Sequence, residues 1–121
     1  MITISSHGFK YGRPEANYFF DVSYFKNPWR VDKIRFEKDK EKRKKMILEY
    51  MEDQKECDSF INVVGLFLKV LNQSFPEENI KVAFCCSAGE YRSPAIAELV
   101  AKELKEFKVK TIINHSKESK L

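Results

Sequence analysis

The 121 residues carry 22 Lys and Arg against 18 Asp and Glu, a formal charge of +4, and 43% of them are hydrophobic; a chain of this length is expected to form one domain, 1–121, that buries roughly two thirds of its unfolded surface. Of the three cysteines two are neighbours, Cys85 and Cys86, which a bridge joins only with strain, and a domain of this size needs no disulfide framework, so all three are expected to be reduced. No apolar run approaches the roughly 18 residues of a membrane span and MITISSHGFKYG has no leader pattern, so a soluble, cytoplasmic protein with no membrane partner is expected.

In chain order, ITIS at 2–5 alternates apolar and polar residues and predicts a short strand, and HGFKYGRP at 7–14, with two glycines and a proline, predicts a loop. A second strand is predicted over 18–25, YFFDVSYF, rich in aromatics. Asp21 sits inside it, and a carboxylate there is costly unless it has a partner or faces a site. After NPW at 27–29 the chain becomes highly charged. Residues 38–53 predict a helix with a narrow apolar stripe of Met46, Ile47, Tyr50 and Met51. Its first part, KDKEKRKK at 38–45, holds six basic and two acidic residues. Such a run is ordinarily a solvated helix face; its sharper reading is a nucleic-acid contact through Lys38, Lys40, Lys42, Arg43, Lys44 and Lys45.

From Cys57 to Phe75, Phe60, Val63, Val64, Phe67, Leu68 and Leu71 recur at helical spacing, which predicts a core-packed helix ended by Pro76. IKVAFC at 80–85 predicts a strand, Ser93 to Phe107 a helix, and VKTIINH at 109–115 a last strand, followed by the polar segment SKESKL at 116–121, expected to be a flexible tail. Strand, helix and strand in close succession imply a parallel βαβ unit. The expected fold is α/β: a small, mostly parallel sheet flanked by helices, with a ligand loop at a strand-to-helix junction.

That loop carries the strongest chemical signal. In open α/β sheets ligands collect where strands end and helices begin. Ser93 is a good N-cap and Pro94 suits the first helical position, and the unpaired amides at such an end form an anion site. Ala88 and Gly89 keep the loop slim, and Arg92 can offer a bidentate fork to phosphate oxygens. The loop Cys86, Ser87, Ala88, Gly89, Glu90, Tyr91, Arg92, Ser93 is therefore the predicted site for the phosphate of a small sugar phosphate or nucleotide.

The spacing C-x5-R-S also resembles the signature of cysteine-dependent phosphatases. That resemblance implies Cys86 as nucleophile, Arg92 as the clamp on the transferring phosphoryl group and Ser93 as the hydroxyl that helps the sulfur leave; a thiol at a helix N-terminus beside an arginine suits such a role. Cys85 stands where that family usually has a histidine, and no general acid is evident, so turnover is the rival reading rather than the leading one.

Three segments in register, ITISSHGFKYGRP at 2–14, FDVSYFKNPW at 20–29 and Cys86-Ser87-Ala88-Gly89-Glu90-Tyr91-Arg92-Ser93 before IAELVA at 96–101, resemble the RapZ C-terminal domain family, the C-terminal part of bacterial RNase adapter proteins. The resemblance runs from about residue 2 to 115. It implies a regulatory binding domain whose cysteine and arginine loop holds a phosphorylated amino sugar, whose basic surfaces hold a small RNA presented to a ribonuclease, and which works as a homo-oligomer. By position, Asp21 joins Cys86, Ser87, Arg92 and Ser93 in the pocket, and Lys10 joins the basic surface with Lys117 and Lys120. Several positions depart from the family pattern: Ser23, Trp29, Cys85, Ala88, Glu90 and Tyr91. Family members also carry a kinase-like nucleotide-binding domain ahead of this one, so control through ATP is not expected of these residues.

Simpler roles compete at each position. Cys57 and Cys85 are expected in the core. Trp29 beside Pro28 is either a core plug or a ring for stacking on a sugar or base. His7 and His115 have no flanking ligand pattern, so no metal and no cofactor is expected.

Overall fold

Every second side chain of β1, Ile2–Gly8, is buried, as the alternation of its sequence requires. The computed structural model describes residues 1–121 and makes this strand longer than the four residues predicted, because Ser6 and Gly8 continue the buried series. β2 (Tyr18–Asp21), β3 (Ile80–Cys86) and β4 (Thr111–His115) complete a four-stranded sheet in the order β2-β3-β1-β4, and every neighbouring pair is parallel. β3 and β4 thus flank β1 rather than each other.

The predicted second strand is halved. At Asp21 the chain leaves the sheet: the backbone N–H and hydroxyl of Ser23 both donate to Asp21 Oδ1, at 2.9 and 2.6 Å, closing a local turn that sends Val22 and Phe25 into the core. Asp21 is exposed, so the expected cost of a carboxylate inside a buried strand does not arise.

A four-residue helix, α1 (Asp32–Arg35), precedes the three long ones, α2 (Lys40–Asp53), α3 (Lys55–Ser74) and α4 (Arg92–Glu106). Asp39, not Lys38, sets the start of α2, accepting from the amides of Glu41 and Lys42. α4 lies across β1, β3 and β4, and α3 packs on α4. Phe60 of α3 meets Phe20 and Phe84, which share a sheet face with Ser6 and His115, so the helices gather over one side of the sheet.

The core between them is built from Ile4, Val82 and Phe84 of the sheet and Ile47, Met51, Leu68, Ile96 and Leu104 of the helices. The buried face of α3 differs from the predicted stripe: Cys57, Ile61, Val64 and Leu68 point inward, while Val63 is 68% exposed and Phe67 faces outward beside Tyr18. The sequence stripe is wider than one neighbour can cover, and α4 selects one half of it. Cys57 and Cys85 are buried as expected, and burial pushes both thiols up to about 12.

Candidate functional site

β3 ends at Cys86 and α4 begins at Arg92, so five residues must turn the chain from sheet to helix. They can do so in little space because two glycines meet backbone to backbone. A Cβ on Gly8 would lie 2.4 Å from the carbonyl carbon of Ala88, and one on Gly89, whose φ is +73°, would lie 2.6 Å from the Gly8 nitrogen. The end of β1 is thereby pressed against the loop, and the N–H of Lys10 donates to the Ser87 carbonyl at 3.3 Å.

Ser93 is not the N-cap. Tyr91 holds that position without a capping side chain, and Ser93 lies inside the first turn, fully buried. Its hydroxyl is used elsewhere: it donates to the His7 carbonyl at 3.1 Å and accepts from Cys86 Sγ at 3.3 Å. Pro94 still falls in the first turn, where an amide has no helical partner to lose. Arg92 reaches sideways, its Nη1 donating to the carbonyls of Ser23 and of Phe25, the latter at 3.2 Å. It ties the segment after β2 to the loop and leaves Nε and Nη2 uncommitted.

The loop wraps a cavity of about 240 Å³ lined by Asn27, Trp29, Cys86, Ser87, Ala88, Glu90, Tyr91, Arg92 and Lys120. The backbone amides of residues 87–91 donate to no other group of the protein. Trp29 is presented by a 3-10 turn at Pro28–Arg30, set by the Asn27 side chain, which accepts from the Trp29 amide at 3.0 Å. Its ring stacks on Tyr91 at 4.5 Å and 6°, and the Arg43 guanidinium lies 5.7 Å from it. Trp29 therefore serves both as a packed ring and as a wall of the cavity. Burial, more than the neighbouring Glu90, raises the Tyr91 hydroxyl above its ordinary value, with Lys120 and Arg43 opposing.

Of the residues predicted for this site, Trp29 and most of the loop are brought together, whereas Gly89 and Ser93 support it from behind. Asp21 is not among the lining residues; it stands at the end of β2, engaged with Ser23. Asn27 lines the cavity although sequence reasoning did not single it out. Its signal was present in the Asn27-Pro28-Trp29 triplet, an N-cap followed by a proline at the first helical position.

The basic run does not form one surface. Lys42 lies 3.8 Å from Glu37, Arg43 donates to the Glu37 carbonyl and covers Trp29, and Lys44 pairs with Glu98 at 3.0 Å. Lys38, Lys40 and Lys45 remain exposed, as do Lys10 and Lys117. Residues 116–121, expected as a flexible tail, lie along the loop: the Ser116 amide donates to Ser6, the Lys120 amide donates to Glu90, and Leu121 packs against the core. Glu98 also accepts from His115 Nε2 at 3.1 Å, whose Nδ1 shares a hydrogen with the buried Ser6 hydroxyl at 2.7 Å. The His115 hydrogen bond, with Lys44 behind it, pulls the Glu98 carboxyl below its ordinary value against the effect of burial.

A family model described as the RapZ C-terminal domain matches residues 1–119. Among curated relatives, proteins named nucleotide-binding protein from Endomicrobium trichonymphae, Clostridium kluyveri and Saccharophagus degradans are 33%, 30% and 33% identical, over 93%, 95% and 87% of this chain. The chain spans only 40%, 40% and 37% of those proteins' own lengths.

Proposed function

The chain belongs to the RapZ C-terminal domain family, and on that premise we propose that it is a binding domain for a phosphorylated small molecule, held in the loop from Cys86 to Arg92. One observation carries the reading: the five consecutive amides of residues 87–91 have no protein partner, and four of those residues, Ser87, Ala88, Glu90 and Tyr91, line a cavity at the start of a fifteen-residue helix. Unpaired amides in partly buried positions are costly unless a ligand or water takes them, and the positive end of α4 makes an anion the favoured guest. Arg92 adds a charge whose remaining nitrogens are free to fork onto phosphate. The cavity, about 240 Å³, is at the small end of ligand pockets and suits the monophosphate of a sugar or nucleoside better than a longer polyphosphate.

Binding is favoured over turnover because the cavity offers no free general acid. Ser93 lies within hydrogen-bond distance of both the Cys86 sulfur, at 3.3 Å, and the His7 carbonyl, at 3.1 Å, so its single hydrogen serves a structural partner as well as the thiol. No acidic side chain other than Glu90 lines the cavity, and Glu90 is paired with Lys120.

The test is a titration of inorganic phosphate and ribose 5-phosphate by calorimetry, with Arg92→Ala beside the wild type. Saturable binding that weakens about tenfold or more in the variant is expected, the scale of a charge-assisted contact. An unaltered affinity would remove the loop from the account. Steady release of phosphate from ribose 5-phosphate, abolished by Cys86→Ser, would instead establish the enzyme.

A further inference from the structure

The mouth of the cavity holds an ion pair that the loop itself does not supply. Lys120 comes from the C-terminal segment, yet its side chain lines the same cavity as Cys86 and Arg92. Its ammonium lies 2.7 Å from Glu90 Oε2, and its backbone N–H donates to the Glu90 carbonyl at 3.0 Å. Leu121, one residue on, is packed on the core, so the segment is anchored on both sides of the lysine. Glu90 is thus gripped twice, once by backbone and once by charge.

This places an anion inside a loop whose amides await one. While Glu90 holds Lys120, the pair cancels, and Arg92 is the one uncompensated cation among the lining side chains. We infer that Lys120 is a ligand-binding residue of the loop site, and that a bound phosphate takes the place of the Glu90 carboxylate as partner of its ammonium. The inference rests on the loop being a phosphate site and adds to it a residue delivered from outside the loop, together with an internal competitor. Two features suit the exchange. The Lys120–Glu90 side-chain contact is open to solvent, the lysine being 62% exposed, so parting costs little. The backbone bond from Lys120 to Glu90 survives the exchange, so the ammonium stays within reach as the carboxylate turns out to water. The segment 116–121 is then held at both its amide and its ammonium in either state, the ammonium changing partner from the Glu90 carboxylate to the phosphate.

The experiment is a double-mutant cycle read by calorimetric affinity for inorganic phosphate and ribose 5-phosphate, using Glu90→Gln, Lys120→Met and the two together. Glu90→Gln is expected to bind about fivefold more tightly and Lys120→Met about fivefold more weakly, the scale of an exposed ionic contact. In the Glu90→Gln background, Lys120→Met is still expected to weaken binding. If it no longer does, Lys120 acts only by neutralising Glu90 and the inference is overturned. If wild type and all three variants bind phosphate alike, the inference fails while the loop site stands. If wild type binds neither compound, the loop reading falls and takes this with it.

Discussion

Two basic or anion-seeking segments stand side by side in this chain and meet different fates. Six residues of the loop, 86–88 and 90–92, come together around one cavity, because the signal is local: a strand, a tight turn and a helix start suffice to gather amides and Arg92 there. The run 38–45 has the larger charge, yet folding divides it, sending Lys44 to Glu98 and Arg43 to Trp29 while Lys38, Lys40, Lys42 and Lys45 stay in solvent, Lys42 at 3.8 Å from Glu37. Charge counted along a sequence says how many cations exist; a helix distributes them around its axis, and neighbours claim those that face inward.

The sharpest way to break the contrast is at the glycines. Gly89→Ala places a Cβ against the Gly8 backbone at a positive φ, and we expect a loss of about 3 kcal/mol, on the order of 10 °C in the melting temperature, together with loss of phosphate binding. A variant that melts like wild type would show that the loop does not depend on this contact. Next in size is Arg92→Ala, which removes the links to Ser23 and Phe25 as well as a ligand contact; about 1–2 kcal/mol of stability should go with the affinity. Arg92→Lys is expected to recover little, since a lysine cannot bridge two carbonyls and fork onto a phosphate as well.

A smaller effect belongs to Glu98, whose carboxyl is depressed in the folded state. A depressed acid stabilises the fold above its unfolded value, about 4.5, and that contribution disappears as pH falls through the lower folded value. Wild type should therefore lose stability below about pH 4.5 more steeply than Glu98→Gln, as followed by urea midpoints across pH 3–6. Parallel profiles would mean the network through His115 and Lys44 contributes nothing. The smallest effect is reserved for Lys38, Lys40 and Lys45 replaced together by Gln: stability should change by less than about 0.5 kcal/mol. If the family resemblance extends to RNA, those same changes should flatten the salt dependence of RNA affinity, by about one unit of slope for each phosphate that is no longer neutralised. An RNA affinity indifferent to salt would end that proposal.

How much was legible follows from the same contrast. The α/β class, the parallel βαβ unit and the loop could be read because each rests on periodicity or on a motif a few residues long. Where readings slipped, a distant partner made the choice. Ser93 looks like an N-cap until the carbonyl of His7, from another strand, takes its hydroxyl. Val63 and Phe67 look like core until α4 covers the other half of the stripe. Asp21 looks buried until Ser23 closes a turn around it. Lys120 reads as a tail charge, and only the return of 116–121 along the loop sets it at the cavity mouth.

The position of β1 at the centre of the sheet bears on how the molecule comes into being. Its partners in β3 begin at Ile80 and those in β4 at Thr111, and Ser6 meets His115 across a separation of 109 residues. Every ladder that positions the loop is therefore long-range, so folding should be slow for a domain of this length, with β1 unpaired until late. On a ribosome β1 would have to wait for residues 80–86 and 111–115 to emerge behind it, and the Gly8 contact that shapes the loop could form only once Ala88 and Gly89 had followed.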